Sequence, residues 1–319
     1  QRGFRWRIVW IFVFQSRTDK VTSGPLPMLS ILFALLLDFL FKEPPAKLHP
    51  VVWMGGFLRF AGRRLPDTPA KGFVAGAGAW LVGAALVGAL AFLLQHAASW
   101  LGGFGWIATG VLLWPLFSVR MLHSEALSVE LALGRSLDEG RARLSRLVSR
   151  DTTRLTATEV REAALETLSE NLTDSVVAPL LWFAVLGLPG VAVYRFANTA
   201  DAMWGYRGDW EWKGKWAARA DDVLNWIPAR VAALLLWVGS FDPRKLPAQA
   251  RATPSPNGGW TMGALALALG VRLGKPGVYV LNPDGRLPDA DDFRRGWRRV
   301  LAASLMGAAA ACMLAWNRG

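Results

Sequence analysis

Cysteine is nearly absent: Cys312 is the only one in 319 residues, which excludes an intrachain disulfide and a cysteine zinc cluster. There are three histidines, His49, His96 and His123, too far apart in the chain to suggest a His-based metal site. Charge is also scarce, at 19% of residues against 53% apolar, with a mean hydropathy of +0.27. An ordinary soluble domain does not have that balance, and the length allows several membrane spans. No Walker motif, nucleophile elbow or dinucleotide glycine fingerprint occurs, and no internal repeat or low-complexity tract is evident. The run GAGAWLVG reads as helix packing in a membrane rather than a phosphate loop.

What charge there is carries a sign. The net charge is +12, from 36 basic and 24 acidic residues, beside 17 tryptophans. Basic residues flanking apolar spans are what the positive-inside rule requires, and tryptophan favours membrane interfaces, so nucleic acid is not expected as a partner. The expected fold is all-α: a polytopic integral membrane protein with short broken or re-entrant helices and cytoplasmic helical loops.

Along the chain, residues 1–27 carry five basic residues and one acid around the short apolar run Ile8–Phe14. They read as an N-terminal extension outside the fold, leaving 28–319 as a single membrane-embedded catalytic domain. Leu29–Phe41 is a first apolar helix, interrupted late by Asp38 and stopped by Pro44-Pro45. Residues 42–71 read as a basic connection, and 72–119 as two spanning helices joined by a tight turn at HAASWLGGFG, with both flanks cytoplasmic. Val176–Tyr194 is long enough to cross once, yet Pro179 and the LGLPG break at 186–190 favour two short helices. A re-entrant arrangement would return the next polar segment to the cytoplasmic side. Ile227–Phe241 is a short apolar stretch. Residues 242–298 read as cytoplasmic loop with one apolar helix at Met262–Val271, and Val300–Trp316 closes the chain.

Three polar cassettes interrupt this apolar background, and polar groups beside apolar runs are costly unless they face water, a metal or a substrate. On a helix, Glu162, Glu166, Glu170 and Asp174 fall at successive i, i+4 positions, so four carboxylates share one face. That pattern suits a solvated helix face or a magnesium site, since Mg2+ takes one or two carboxylates plus substrate phosphates. In NTADAMWGYR (198–207), Asn198 and Asp201 can share a face before a turn at Gly205, followed by Tyr206 and Arg207. In RADDVLNWIPAR (219–230), Asp221 and Asn225 are four apart, Asp222 lies one off that face, and Arg219 is placed to neutralise them. Arg230 follows Pro228, and the arginine fork suits phosphate. PSPNGGW (254–260) offers a Pro/Gly loop with exposed amides, Ser255 and Asn257. From the residues alone the chain is a membrane enzyme or transporter with an acidic, cation-assisted phosphate site.

The ordered segments LLLDFLFKEPPAKLHPV (35–51), ETLSENLTDSVVAPL (166–180), YRFANTADAMWGYR (194–207), ARADDVLNWIPAR (218–230), and PSPNGGW with GVRLG (254–274) resemble the adenosylcobinamide-phosphate synthase family of cobalamin biosynthesis. The resemblance implies a multi-pass protein of the bacterial inner membrane with a cytoplasmic active site. It implies an ATP-dependent ligase joining adenosylcobyric acid to an aminoalcohol phosphate, typically (R)-1-aminopropan-2-ol O-phosphate. ATP and Mg2+ would serve as substrate and activator, with no tightly bound prosthetic group. Membrane lipids, a second copy of the chain or other corrinoid-pathway membrane enzymes are the remaining expected partners.

On that reading Glu166, Glu170 and Asp201 are the catalytic set and Asp174, Asp221 and Asp222 the metal set. Asn171, Asn198, Tyr206, Arg207, Asn225, Arg230, Ser255 and Asn257 would bind and orient substrate and phosphate. The chain departs from the family pattern at Lys42-Glu43, where Gly-Asp is frequent, at Ser175, where Gly is usual, and at Thr253, where His is common. Two other readings compete. A membrane sensor related to the beta-lactamase-induction family would be expected to lose the acidic cassettes, which are present here. A transporter of a corrinoid or phosphorylated solute would be expected to show paired inverted halves, which are not visible.

Overall fold

The computed structural model describes residues 26–317, so the expectation of an extension over 1–27 falls largely outside the described residues. Its last two positions, Leu26 and Pro27, already belong to the first helix. Thirteen α-helices are described: α1 Leu26–Phe41, α2 Pro50–Gly62, α3 Pro69–Ser99, α4 Gly105–Leu113, α5 Val119–Leu133, α6 Leu137–Leu144, α7 Ala157–Leu172, α8 Ala178–Trp204, α9 Lys215–Leu224, α10 Trp226–Trp237, α11 Leu246–Ala252, α12 Gly258–Leu269 and α13 Ala290–Trp316. One antiparallel hairpin, β1 Leu273–Lys275 and β2 Tyr279–Leu281, and several short 3-10 and π turns complete the described elements. The protein is an all-α polytopic membrane protein. Among the described residues four helical stretches, Pro69–Ser99, Gly102–Leu133, Ala157–Trp204 and Ala290–Trp316, are long and apolar enough to cross a bilayer.

The stretch 157–204 turns back on itself. After α7 the chain passes through a π-helical turn, Thr173–Val177, into α8, and at Gly187 the backbone leaves the helix with φ 69° and ψ −156°. The two limbs of α8 then run antiparallel: the Tyr194 hydroxyl and the Arg195 guanidinium both reach the Asp174 carbonyl, at 3.5 and 3.1 Å. The LGLPG break therefore makes the expected re-entrant hairpin. Pro179, however, does not break the helix. Proline lacks the N–H that would bond the Ser175 carbonyl, and the Ser118 N–H takes that carbonyl instead at 2.8 Å, so the helix continues through the π turn.

The returning limb of α8 lies along α3, where glycines allow close approach. A side chain at Gly83 would collide with the Phe196 ring, one at Gly88 would meet Val193 at 3.1 Å, and one at Gly187 would collide with the Gln95 amide. The Gln95 amide oxygen accepts the Leu188 N–H at 2.7 Å, satisfying a donor freed by the kink. Asp38, the lone acid of α1, is buried because its carboxylate accepts the Val119 and Arg120 N–H groups (3.2 and 2.9 Å) and so caps α5.

Three sequence expectations change. Residues 42–71 are not merely a connection, because His49 caps α2 and Pro50 occupies its first turn. The second leg of the 72–119 hairpin is broken: α4 ends at Leu113 and extended backbone at Phe117 and Ser118 precedes α5. Residues 242–298 hold α11, α12, the hairpin and the start of α13. An Asp289/Asp292 capping box starts α13 ten positions before Val300, and α12 begins at Gly258 with Ala264, Leu265 and Ala266 fully buried. Leu165, Leu168, Leu172, Phe293 and Val300 join them in the core beneath the polar end of the re-entrant hairpin.

Candidate active site

The acidic cassettes converge on one cavity of about 390 Å3. Its walls come from the end of α7 and the π turn (Glu170, Asp174), the returning limb of α8 (Asp201) and the turn after it (Tyr206, Arg207). The other side is α9 with the residue after it (Asp221, Asp222, Asn225) and the 254–258 loop with Ser255 and Asn257. The π turn matters because one extra residue in the turn re-aims the backbone just where Asp174 enters the cavity. Gly205 has an ordinary φ of −71°; glycine fits because a β-carbon there would strike the Asp201 carboxylate.

Beneath the cavity floor, side chains lock the carboxylates together. The buried Tyr194 hydroxyl donates to Asn225 Oδ1 at 2.9 Å and lies 3.4 Å from Asp174 Oδ1. The Asn225 amide donates to Asp221 Oδ2 at 3.0 Å, and the Asn198 amide reaches Asp221 Oδ1 at 3.4 Å. Arg195 bonds both the Asp174 carbonyl and Asn198 Oδ1, at 3.1 and 3.3 Å. Asn198 and Asn225 therefore orient carboxylates. Asp201 makes no side-chain hydrogen bond in this network, and Asp222 meets Arg219 at 3.4 Å.

Burial, and then the neighbouring Asp174 and Asp201 carboxylates, hold the Asp221 carboxyl well above the usual carboxylate range. Burial raises Asp222 as well, with Arg219 opposing. Such a cluster is relieved by a cation. Among the described residues no three His, Cys, Asp or Glu side chains are close enough to hold a metal by themselves. The donor set is nevertheless oxygen-only and gathered around one cavity, which fits an ion that takes one or two carboxylates and completes its shell with phosphate oxygens, as Mg2+ does.

The other expected residues are dispersed. Glu162 and Glu166 are buried rather than solvated: Arg150 pairs with Glu166 at 2.5 Å, and Arg272 approaches Glu162 at 3.9 Å. Glu166 and Asn171 line a second cavity of about 310 Å3, and Asn171 bonds the Thr167 carbonyl at 2.9 Å. Glu170, Pro254 and Ser255 belong to both cavities. Arg230 lies outside both cavity walls, stacked on Trp226 and Trp260 and bonded to Asn257 Oδ1 at 3.3 Å. The amides of the PSPNGGW loop are not free either. Ser255 Oγ accepts the N–H groups of both Asn257 and Gly258, each at 3.2 Å, and the Asn257 side chain donates to the Asp222 carbonyl at 2.8 Å. That loop is a brace between α9 and the start of α12.

Several participants went unrecognised in the sequence. Tyr194 and Arg195 stand in the segment YRFANTADAMWGYR at helical spacing from Asn198, a usable signal. Lys215 and Glu211 line the first cavity and Arg150, Lys275 and Tyr279 the second, from segments with no distinguishing local pattern.

A family profile described as CobD/Cbib protein matches residues 31–299, a span containing every residue that lines the two cavities. A probable cobalamin biosynthesis protein CobD of Methanothermobacter thermautotrophicus is 45% identical over 79% of this chain and 85% of its own length. The cobalamin biosynthesis protein CobD of Stutzerimonas stutzeri is 42% identical over 79% and 83%, and that of Dehalococcoides mccartyi 39% identical over 81% and 88%. No solved structure matches. With the acidic cavity lying wholly inside the matched span, the chain belongs to the CobD/Cbib protein family.

Proposed function

We propose that the protein acts in cobalamin biosynthesis as an ATP-dependent amide ligase. It would join adenosylcobyric acid to (R)-1-aminopropan-2-ol O-phosphate and release adenosylcobinamide phosphate. The observation that carries this reading is the convergence of Asp174, Asp201, Asp221 and Asp222 on one open cavity that also holds Arg207, Arg219 and Lys215. Carboxylates that need a cation, beside guanidinium and ammonium groups, suit nucleotide phosphates with Mg2+.

A carboxylate and an amine do not condense in water unaided. ATP would transfer its terminal phosphoryl group to the corrinoid carboxylate, giving an acyl phosphate and ADP. Bound Mg2+ supplies Lewis-acid neutralisation of phosphate charge. Asp201 and Asp222, with Asp174 and Asp221 fixed by the tyrosine and amide network, are the residues to hold it. Arg207 and Arg219 at the rim hold phosphate oxygens. Glu170 takes one proton from the incoming ammonium, freeing the nitrogen lone pair. The C–N bond then forms as the C–O bond to the phosphoryl group breaks, and phosphate leaves with that electron pair and the second N–H proton.

The cavity would face the cytoplasm. Arg59, Arg63, Arg64, Lys71 and Lys213 crowd the end of α2 and α3 near the cavity, whereas the opposite end of α3, from Gln95 to Gly105, carries only His96. The test is amide formation by the purified protein in detergent, given both substrates, ATP and Mg2+, followed by mass spectrometry with a no-ATP control. ATP-dependent product is expected from wild type and little from Asp201→Asn. Full activity in Asp201→Asn would remove Asp201 from the mechanism, and absence of product from folded wild type would remove the ligase reading.

A further inference from the structure

The second cavity is built differently from the first. Its lining carries both signs of charge, Arg150 and Lys275 together with Glu166 and Glu170, and includes the Tyr279 phenol. Lys275 and Tyr279 are directly opposed across the β1–β2 hairpin, so both side chains leave the same face. Arg150 is committed to Glu166. Lys275, by contrast, is half-buried and makes no ion pair or side-chain hydrogen bond among the described residues. It acts on Glu166 and Glu170 only at longer range. Glu166 is 2% exposed, yet its Oε1 has no hydrogen-bond donor in good geometry. The Tyr279 hydroxyl is near enough to act on the Glu166 carboxylate, but its aligned hydrogen bond goes to Met262 Sδ at 3.6 Å. A cation without an anion and a buried carboxylate oxygen without a donor thus face one small space of about 310 Å3.

We propose that this second cavity binds the phosphate monoester of a short amino alcohol, its phosphate on Lys275 and Arg150 and its ammonium on the Glu166–Glu170 side. The inference rests on the ligase reading and deepens it. A zwitterion satisfies both unpaired groups at once. A nucleotide does not: it brings no ammonium for the carboxylates, and its phosphates would sit against Glu166 and Glu170 without a cation between them. Geometry then explains how the two half-reactions meet. Glu170, Pro254 and Ser255 form the wall common to both cavities, so an amine held at Glu170 lies at the boundary of the cavity where the acyl phosphate forms. Only the small substrate enters the second cavity, while the nucleotide phosphates and the reacting corrinoid carboxylate meet in the acidic one.

Lys275 is the residue to change, because removing Arg150 would strand buried Glu166. With Lys275→Gln, KM for 1-aminopropan-2-ol O-phosphate should rise about tenfold or more, the loss of one charge-assisted phosphate contact. KM for Mg-ATP should not move, and Lys275→Arg should restore most of the affinity. The unphosphorylated amino alcohol should be a poor substrate for wild type and should be used equally by Lys275→Gln. A rise in KM for ATP instead would make this the nucleotide subsite and overturn the proposal, as would unchanged KM values throughout. Calorimetric titration of 1-aminopropan-2-ol O-phosphate into detergent-solubilised protein without ATP separates the two levels of the argument. Probe binding that is weakened by Lys275→Gln in a protein making no amide keeps the subsite and removes the ligase. Amide formation with probe binding indifferent to Lys275→Gln keeps the ligase and removes the subsite.

Discussion

The re-entrant hairpin turns on one residue, and Gly187→Ala measures how much. At φ 69° and ψ −156° Gly187 occupies a region essentially closed to residues with a β-carbon, which costs on the order of 1–3 kcal/mol to occupy. The new β-carbon would also collide with the Gln95 amide, whose oxygen accepts the Leu188 N–H at 2.7 Å. Displacing that amide forfeits a hydrogen bond worth about 0.5–1.5 kcal/mol and strands the Leu188 donor inside the bundle. The sum is about 2–4 kcal/mol, a fall in midpoint of roughly 5 °C or more for a chain of this size. Thermal unfolding in detergent, followed by tryptophan fluorescence, reads it directly. Gly78→Ala is the control, since Gly78 is helical with nothing within 4 Å of a β-carbon, and it should be neutral or slightly stabilising. Because the hairpin sets Tyr194 against Asp174, Gly187→Ala should also lower activity below the melting range. A Gly187→Ala protein that melts like Gly78→Ala and keeps full activity would refute the hinge. In a Gln95→Ala background the collision is gone, so the alanine should cost less there than in wild type.

Three further outcomes follow from the same geometry. Arg150→Ala leaves Glu166, 2% exposed, without its partner and should destabilise by about 3–5 kcal/mol; adding Glu166→Gln should recover much of the loss in a denaturation experiment. Tyr194→Phe removes the donor to Asn225 Oδ1 and loosens Asp174. It should cost about 1–2 kcal/mol of stability and reduce kcat more than it raises KM in steady-state assays. In EDTA, the raised carboxyl of Asp221 makes protonation favour the folded state. Its contribution is fully present below the unfolded value of about 3.9 and is lost as pH rises through the folded value. Asp221→Asn should therefore melt higher than wild type at neutral pH, gain less on acidification, and lose activity; a lower melting temperature at neutral pH would contradict the assignment.

Local pattern specified much of this protein. Apolar run length fixed α3 and the membrane class, because a bilayer demands about 20 apolar residues per crossing. LGLPG marked the reversal at Gly187, since only glycine tolerates that backbone. The i, i+4 spacing put Glu162, Glu166 and Glu170 on one face of α7, with Asp174 in the π turn that follows, and the cassettes at 198–207 and 219–230 supplied most of the first cavity. Tertiary structure decided what each carboxylate meets. Arg150 and Arg272, distant in sequence, withdraw Glu166 and Glu162 from the solvated face that spacing alone allowed. Pro179 reads as a helix break locally, yet the Ser118 N–H satisfies the carbonyl it frees, so the helix runs on. Arg230 looks like a phosphate ligand but is claimed by two tryptophans, and the PSPNGGW amides are consumed by Ser255. Lys275, with no local signature, reaches its cavity only because a short hairpin carries it there. Periodicity is written in neighbouring residues, whereas partnership between charges depends on which distant segments arrive beside them.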